Sequence, residues 1–186
     1  MRVAYIGMGA NLESRIGSPA ETLAAAVERL QTIGRVVRRS SLYLTEPIGY
    51  EAQPRFTNAV VALETVLSPS TLLHELMAIE KEFGRNRSAS FVNGPRTLDL
   101  DVLLLGDLNL HEAHLDIPHP RLTERGFVLV PLAEIGPEVT VPGHEANVTE
   151  LLERLRASKP SDVRSVVPIR SSAWIRDDVQ TGRIRE

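Results

Sequence analysis

A chain of 186 residues that is 42% hydrophobic and 24% charged has ordinary globular composition and the length of one domain. A formal charge of −3 argues against a general nucleic-acid binder, which carries a basic excess on one face, so any phosphate recognition is local. With no cysteine there is no disulfide framework, thiolate nucleophile or cysteine-based zinc site, and a reducing cytoplasm is expected.

The N-terminus enters a buried strand at Val3 to Ile6 without the apolar stretch and cleavage site of a secretory signal. No run approaches the roughly 20 apolar residues that span a bilayer, so no membrane association is expected. Ser18-Pro19-Ala20-Glu21 is a helix start: Ser18 caps, Pro19 takes the first helical position, and Glu21 completes a capping box. Leu23, Val27 and Leu30 give that helix its apolar face, and Gly34 is expected to end it. Val36 to Leu44 and Phe56 to Leu67 read as two strands joined by a long loop, Thr45 to Arg55. Ser68-Pro69 opens a second helix, with Leu72, Leu76, Ile79 and Phe83 along one side and Gly84 as its stop. Gly84 to Arg96 has no apolar period and reads as a long functional loop.

Thr97 to Leu105 is the next strand, followed by an irregular stretch, the Pro118-His119-Pro120 turn and a helix around Glu124 to Ile135. A last helix is capped at Asn147, with Glu150 three residues on and Leu151, Leu152 and Leu155 as its apolar face. Asn147-Val148-Thr149 also matches a glycosylation sequon, which is read as chance. The order β, α, β, β, α, β predicts an α+β, ferredoxin-like (split βαβ) antiparallel sheet with added helices. The expected boundary lies at 158: residues 1–158 form the catalytic unit, and 159–186 a polar extension, either an edge strand or a loose tail.

The chemistry concentrates in Gly94-Pro95-Arg96-Thr97-Leu98-Asp99-Leu100-Asp101. On a strand, Asp99 and Asp101 point to one face, about 7 Å apart at the backbone, while Leu98, Leu100 and Val102 face the core. Such a pair either decorates a solvated face or jointly holds Mg ions. Arg85, Arg87 and Arg96 flank it and favour the second reading, because they would neutralise a polyphosphate that brings its own Mg. Gly7-Met8-Gly9 lacks the third glycine of a dinucleotide fingerprint and is weak as a phosphate loop. His119, fixed between two prolines, taken alone reads as a structural ring, as Phe56 and Phe127 taken alone read as core. Asn58 stands two residues from Phe56 on the same strand face, an amide beside an aromatic wall for a flat heterocycle.

Together these segments resemble the 6-hydroxymethyl-7,8-dihydropterin pyrophosphokinases of folate biosynthesis, over roughly residues 3 to 155. The resemblance is carried by Gly7 to Leu12, Thr45-Glu46-Pro47-Ile48-Gly49, Phe56-Thr57-Asn58-Ala59, Glu80 through Arg85, Gly94 through Asp101, Pro118-His119-Pro120 and Arg125-Gly126-Phe127. It implies an αβα sandwich, ATP as co-substrate, two Mg2+ ions on Asp99 and Asp101, and catalytic roles for Arg85 and Arg96 beside them. It further implies that Glu80, Arg85, Arg96 and His119 serve ATP, that pterin stacks between Phe56 and Phe127 near Thr45, Pro47, Ile48 and Asn58, and that Arg87 and Arg125 are mobile basic residues. The partners implied are small molecules alone, with a monomeric protein. The family commonly has Trp before Gly-Pro-Arg where this chain has Asn93, with Phe91 nearby, and Met77 and His114 replace a Gln and a basic residue of some relatives. An Asp-x-Asp glycosyltransferase and a non-catalytic nucleotide or pterin module are the rival readings.

Overall fold

The computed structural model describes residues 1–85 and 94–174. Strand β1 (Arg2–Ala10) is followed by α1 (Pro19–Leu30), where Ser18 and Glu21 form the expected reciprocal capping box. Strands β2 (Arg35–Arg39) and β3 (Leu42–Thr45) take the place of the single predicted strand. The run breaks at Ser40, whose backbone and hydroxyl both bond Val60 of β4 (Phe56–Thr65). Helix α2 (Pro69–Glu82) is capped by Ser68. Then come β5 (Asp99–Leu105), β6 (Leu110–Glu112) and β7 (Leu115–Ile117), the last two forming a hairpin where irregular chain was expected. A short 3-10 turn at Leu122–Glu124 precedes α3 (Gly126–Ile135), α4 (Val148–Ser158), α5 (Pro160–Arg164) and β8 (Val167–Ile169).

The strands lie in the order β5-β1-β4-β3-β8, with β2 also on β4, and the pairings are antiparallel. The chain has the predicted α+β, ferredoxin-like architecture. Alternation along β1 sends Ala4, Ile6, Met8 and Ala10 to one face, where they pack with Leu23 of α1 and Leu76 and Ile79 of α2. Tyr5 of β1, Val60 of β4 and Leu103 of β5 face the other way, against Leu129 and Leu132 of α3 and Leu152 of α4. The sheet is thus sandwiched between two helical layers. Each fully buried Leu of these layers contributes about 1.5–3 kcal/mol.

Gly34 does not end α1, which stops at Leu30. It lies where the chain crosses β4: a Cβ there would meet the Glu64 carbonyl oxygen at 2.5 Å, so the position is reserved for close backbone passage. Among the described residues no helix is long and apolar enough to cross a membrane.

Candidate active site

The site lies on the face of the sheet that carries α3, beside that helix's N-terminal end. Its floor is a bare strip of β1. Gly9 pairs with Asn58 of β4 on one side and Asp99 of β5 on the other, and Gly7 pairs with Val60 and Asp101. Because β1 has no side chain at these two positions, a groove of about 720 Å³ opens over them. A Cβ on Gly9 would stand 2.9 Å from Asn58 Oδ1 and 3.9 Å from the Phe56 ring. The Gly-x-Gly pattern therefore clears a floor within a strand and is no phosphate loop.

Asp99 and Asp101 stand side by side over this floor, as the period-two reading of β5 predicts. Arg85 Nη1 is ion-paired with Asp99 and donates to the Leu98 carbonyl at 3.2 Å, and Arg96 Nη1 lies 3.3 Å from Asp99 Oδ2. Arg85 Nη1 also bonds Glu80 Oε1 at 2.6 Å, and the same oxygen accepts the Leu100 backbone N–H at 2.9 Å. Glu80 is only 1% exposed. It lies on α2 facing β5, where it fixes Arg85 and the strand.

Asp101 is short of positive charge. Burial, with Asp99 and then Glu80 nearby, pushes its carboxyl up to about 6 despite Arg125 and Arg85. The arginines are under-used as well: Nε of Arg85, Arg96 and Arg125 is buried without a hydrogen-bond partner. Such orphaned donors beside a crowded carboxylate pair fit a ligand that supplies both anionic oxygens and cations. Among the described residues no three His, Cys, Asp or Glu side chains converge on one point. The pair suits a hard ion such as Mg2+, which binds through one or two carboxylates and completes its shell with phosphate and water.

Two aromatic walls rise from the floor. Phe56, at the start of β4, lies under the Arg96 guanidinium, 5.1 Å from it, and Phe127, on the first turn of α3, lies under Arg125 at 5.3 Å. Asn58 Nδ2 donates to Thr45 Oγ1 at 2.7 Å, which orients its amide, and both side chains are buried. Thr45, Ile48, Phe56, Asn58 and Phe127 all line the groove. Pro47 stands between the lining residues Glu46 and Ile48 and is not itself in the lining.

A second, wider depression of about 1740 Å³ lies between α2, β5 and the β6–β7 hairpin. Met77, His114 and His119 line it, and Asp101 lines both it and the first groove, so the two meet at that carboxylate. His119 Nδ1 accepts the Arg121 backbone N–H at 3.1 Å, which leaves Nε2 as the donor of the neutral ring. Burial and the nearby Arg125 charge lower its pKa and hold it neutral.

Of the residues singled out from the sequence, Arg96, Asp99, Asp101, Arg125 and the aromatic and polar walls converge on the first groove, with Arg85 behind Asp99 and His119 in the second. Arg87, Phe91 and Asn93 lie outside the described residues. Asn11 was missed. It is 4% exposed, accepts the Arg96 backbone N–H at 2.8 Å, and donates to Gln53 Oε1 at 2.9 Å and the Pro54 carbonyl at 3.0 Å. It thereby ties the loop after β3 to the segment entering β5. Its signals in the sequence were its place in the Gly7 to Leu12 motif and a polar residue at the end of an apolar strand, and neither names a role.

Residues 5–137 match the family model of 7,8-dihydro-6-hydroxymethylpterin-pyrophosphokinase (HPPK). A 2-amino-4-hydroxy-6-hydroxymethyldihydropteridine pyrophosphokinase of Pseudomonas aeruginosa is 43% identical over 140 residues, which are 74% of this chain and 83% of the relative. The Haemophilus influenzae protein of the same name is 40% identical over 161 residues, 86% of this chain and 96% of its own. A crystal structure of Plasmodium falciparum HPPK-DHPS with pterin and p-hydroxybenzoate superposes with a TM-score of 0.69 at 16% identity, over 88% of this chain. That likeness concerns the fold alone, and this chain spans 46% of the solved one. On a family model covering most of its length and relatives matched over most of theirs, the chain belongs to the 7,8-dihydro-6-hydroxymethylpterin-pyrophosphokinase family.

Proposed function

We propose that this chain moves the terminal pyrophosphoryl group of ATP onto the hydroxymethyl group of 6-hydroxymethyl-7,8-dihydropterin, in folate biosynthesis, with pterin in the first groove and nucleotide in the second. The observation that carries the assignment of grooves is their meeting at Asp101, with Asp99 beside it. A flat heterocycle fits between the Phe56 and Phe127 walls, and Asn58, its Nδ2 held by Thr45, offers Oδ1 to the ring's N–H groups. The loop carrying Pro47 and Ile48 closes the outer side.

The polyphosphate then crosses from the second groove past Asp101, where Arg85, Arg96 and His119 meet its oxygens and Arg125 approaches from the α3 side. Two Mg2+ ions held by Asp99 and Asp101 would neutralise phosphate charge and orient the β-phosphorus. Arg85 must then release Asp99 and turn its donors to phosphate, with Glu80 keeping it in reach. The pterin hydroxyl oxygen bonds to the β-phosphorus and loses its proton. The bond from that phosphorus to the α–β bridging oxygen breaks, and AMP leaves with that oxygen. The residues thus work by charge neutralisation and alignment. This reading carries with it a cytoplasmic monomer acting on small molecules, in keeping with a formal charge of −3 and no basic excess.

The test is the nucleotide product. Chromatography of a single-turnover reaction with 6-hydroxymethyl-7,8-dihydropterin is expected to show AMP and pterin diphosphate in equal amounts. ADP with a singly phosphorylated pterin would mean ordinary kinase chemistry at the same site. The rival glycosyltransferase reading has no support among the relatives, which share the pyrophosphokinase name.

A further inference from the structure

We infer that residues 160–174, which lie beyond the family-matched span of 5–137, brace both walls of the first groove and set its affinity for the pterin rather than for the nucleotide. The inference rests on the assignment of that groove to the pterin. One contact is at Gly126. The α5 backbone passes so close that a Cβ on Gly126 would lie 2.5 Å from the Asp162 carbonyl oxygen and 2.9 Å from its carbon. Gly126 sits between Arg125 and Phe127, both of which line the groove, so α5 presses on the peptide that aims them. Only glycine allows this approach.

The other contact is at the opposite wall. Strand β8 pairs with β3 from Leu42↔Ile169 to Leu44↔Val167, ending one residue before Thr45, the partner of Asn58. The far end of the segment is fastened by Trp174, 7% exposed, whose indole N–H donates to the Ser40 carbonyl at 2.9 Å while Arg39 covers the ring at 5.4 Å. One stretch of chain therefore holds the α3 wall through α5 and the β3 wall through β8. The second groove is built from α2, β5 and the hairpin, whereas α5 and β8 pack on α3, α4 and β3, and Trp174 joins the core cluster on the other face of the sheet. Walls fixed before the ligand arrives lower the ordering cost of binding, and at Phe127, Thr45 and Asn58 that gain falls to the pterin.

Two substitutions in the full-length chain test this. Gly126→Ala forces the α5 backbone away, and Trp174→Phe removes one hydrogen bond while keeping an aromatic ring. The chain has a single tryptophan, so its fluorescence in Gly126→Ala reports whether the segment is still docked. Calorimetry is expected to show pterin binding weakened at least fivefold in each variant, with a non-hydrolysable Mg-ATP analogue within twofold of wild type. The KM for pterin should rise likewise in both variants, with kcat within twofold in Trp174→Phe. Unchanged pterin affinity in both variants, or equal losses for the two ligands, overturns the proposal. So does unfolding of both, which would make the segment part of the core. A wild-type chain that binds no pterin defeats the groove assignment and this proposal together; wild-type binding with unaltered variants defeats this proposal alone.

Discussion

Asp101 carries the most at the smallest scale. Its carboxyl is held up at about 6 chiefly by burial, then by Asp99 and Glu80, against an unfolded value near 3.8. A folded pKa above the unfolded one means that protonated Asp101 favours the fold. That stability is complete below about pH 4 and is lost as pH rises through about 6, a difference on the order of 2–3 kcal/mol. Urea melts of the metal-free protein should therefore show a fall in stability between about pH 4 and 6 that is absent from Asp101→Asn, and a variant with the same fall would remove Asp101 as its source. Because a metal takes the ionised form, Mg2+ should stabilise the wild type more at pH 7.5 than at pH 5. The same variant keeps the shape of the site but loses half its carboxylate charge. Its turnover at saturating Mg2+ should drop by well over tenfold, and a rate above about a tenth of wild type, ~1.4 kcal/mol, would discard the metal-ligand role.

Elements whose signals are local were legible in the sequence. The capping boxes at Ser18/Glu21 and Asn147/Glu150 form as read, because each needs only residues three apart. At Asn147 the side-chain oxygen accepts the Glu150 N–H at 2.9 Å, and Glu150 returns the contact to the Asn147 N–H at 3.0 Å. Asn147→Ala should cost about 1 kcal/mol, lowering the melting temperature by roughly 2–4 °C, while kcat/KM stays at the wild-type value because the cap is remote from both grooves. A larger loss of activity than of stability would mean that α4 does more than pack. The Asp99/Asp101 pair was legible for a similar reason, since alternation on one apolar strand needs no partner. What depends on a distant backbone was not. The break at Ser40 is set by Val60, the β6–β7 hairpin by a pairing too short to leave a pattern, the glycines at 34 and 126 by backbone passing close to them, and those at 7 and 9 by side chains of the neighbouring strands. Glu80 was expected at the nucleotide because it sits in a motif, and its bond to the Leu100 N–H, which depends on β5 lying against α2, was not legible.

At the scale of the whole molecule, the two grooves share only the Asp101 end of β5, so substrates held by separate elements meet at one strand. Among the described residues, the sheet that makes this possible has an outer boundary at β8, and that strand reads Val167-Pro168-Ile169. Proline has no N–H to offer a further strand, so the outermost strand of the sheet is poorly suited to recruit another chain. Without it, β3 would present an open row of backbone donors and acceptors to solvent. A chain ended at Ser165 is thus expected to self-associate through β3, with light scattering rising steeply with protein concentration while the full chain stays clear; a shortened chain that scatters no more than the full one would refute this. Strand β8 then guards against aggregation, a duty separate from anything that happens to a phosphate.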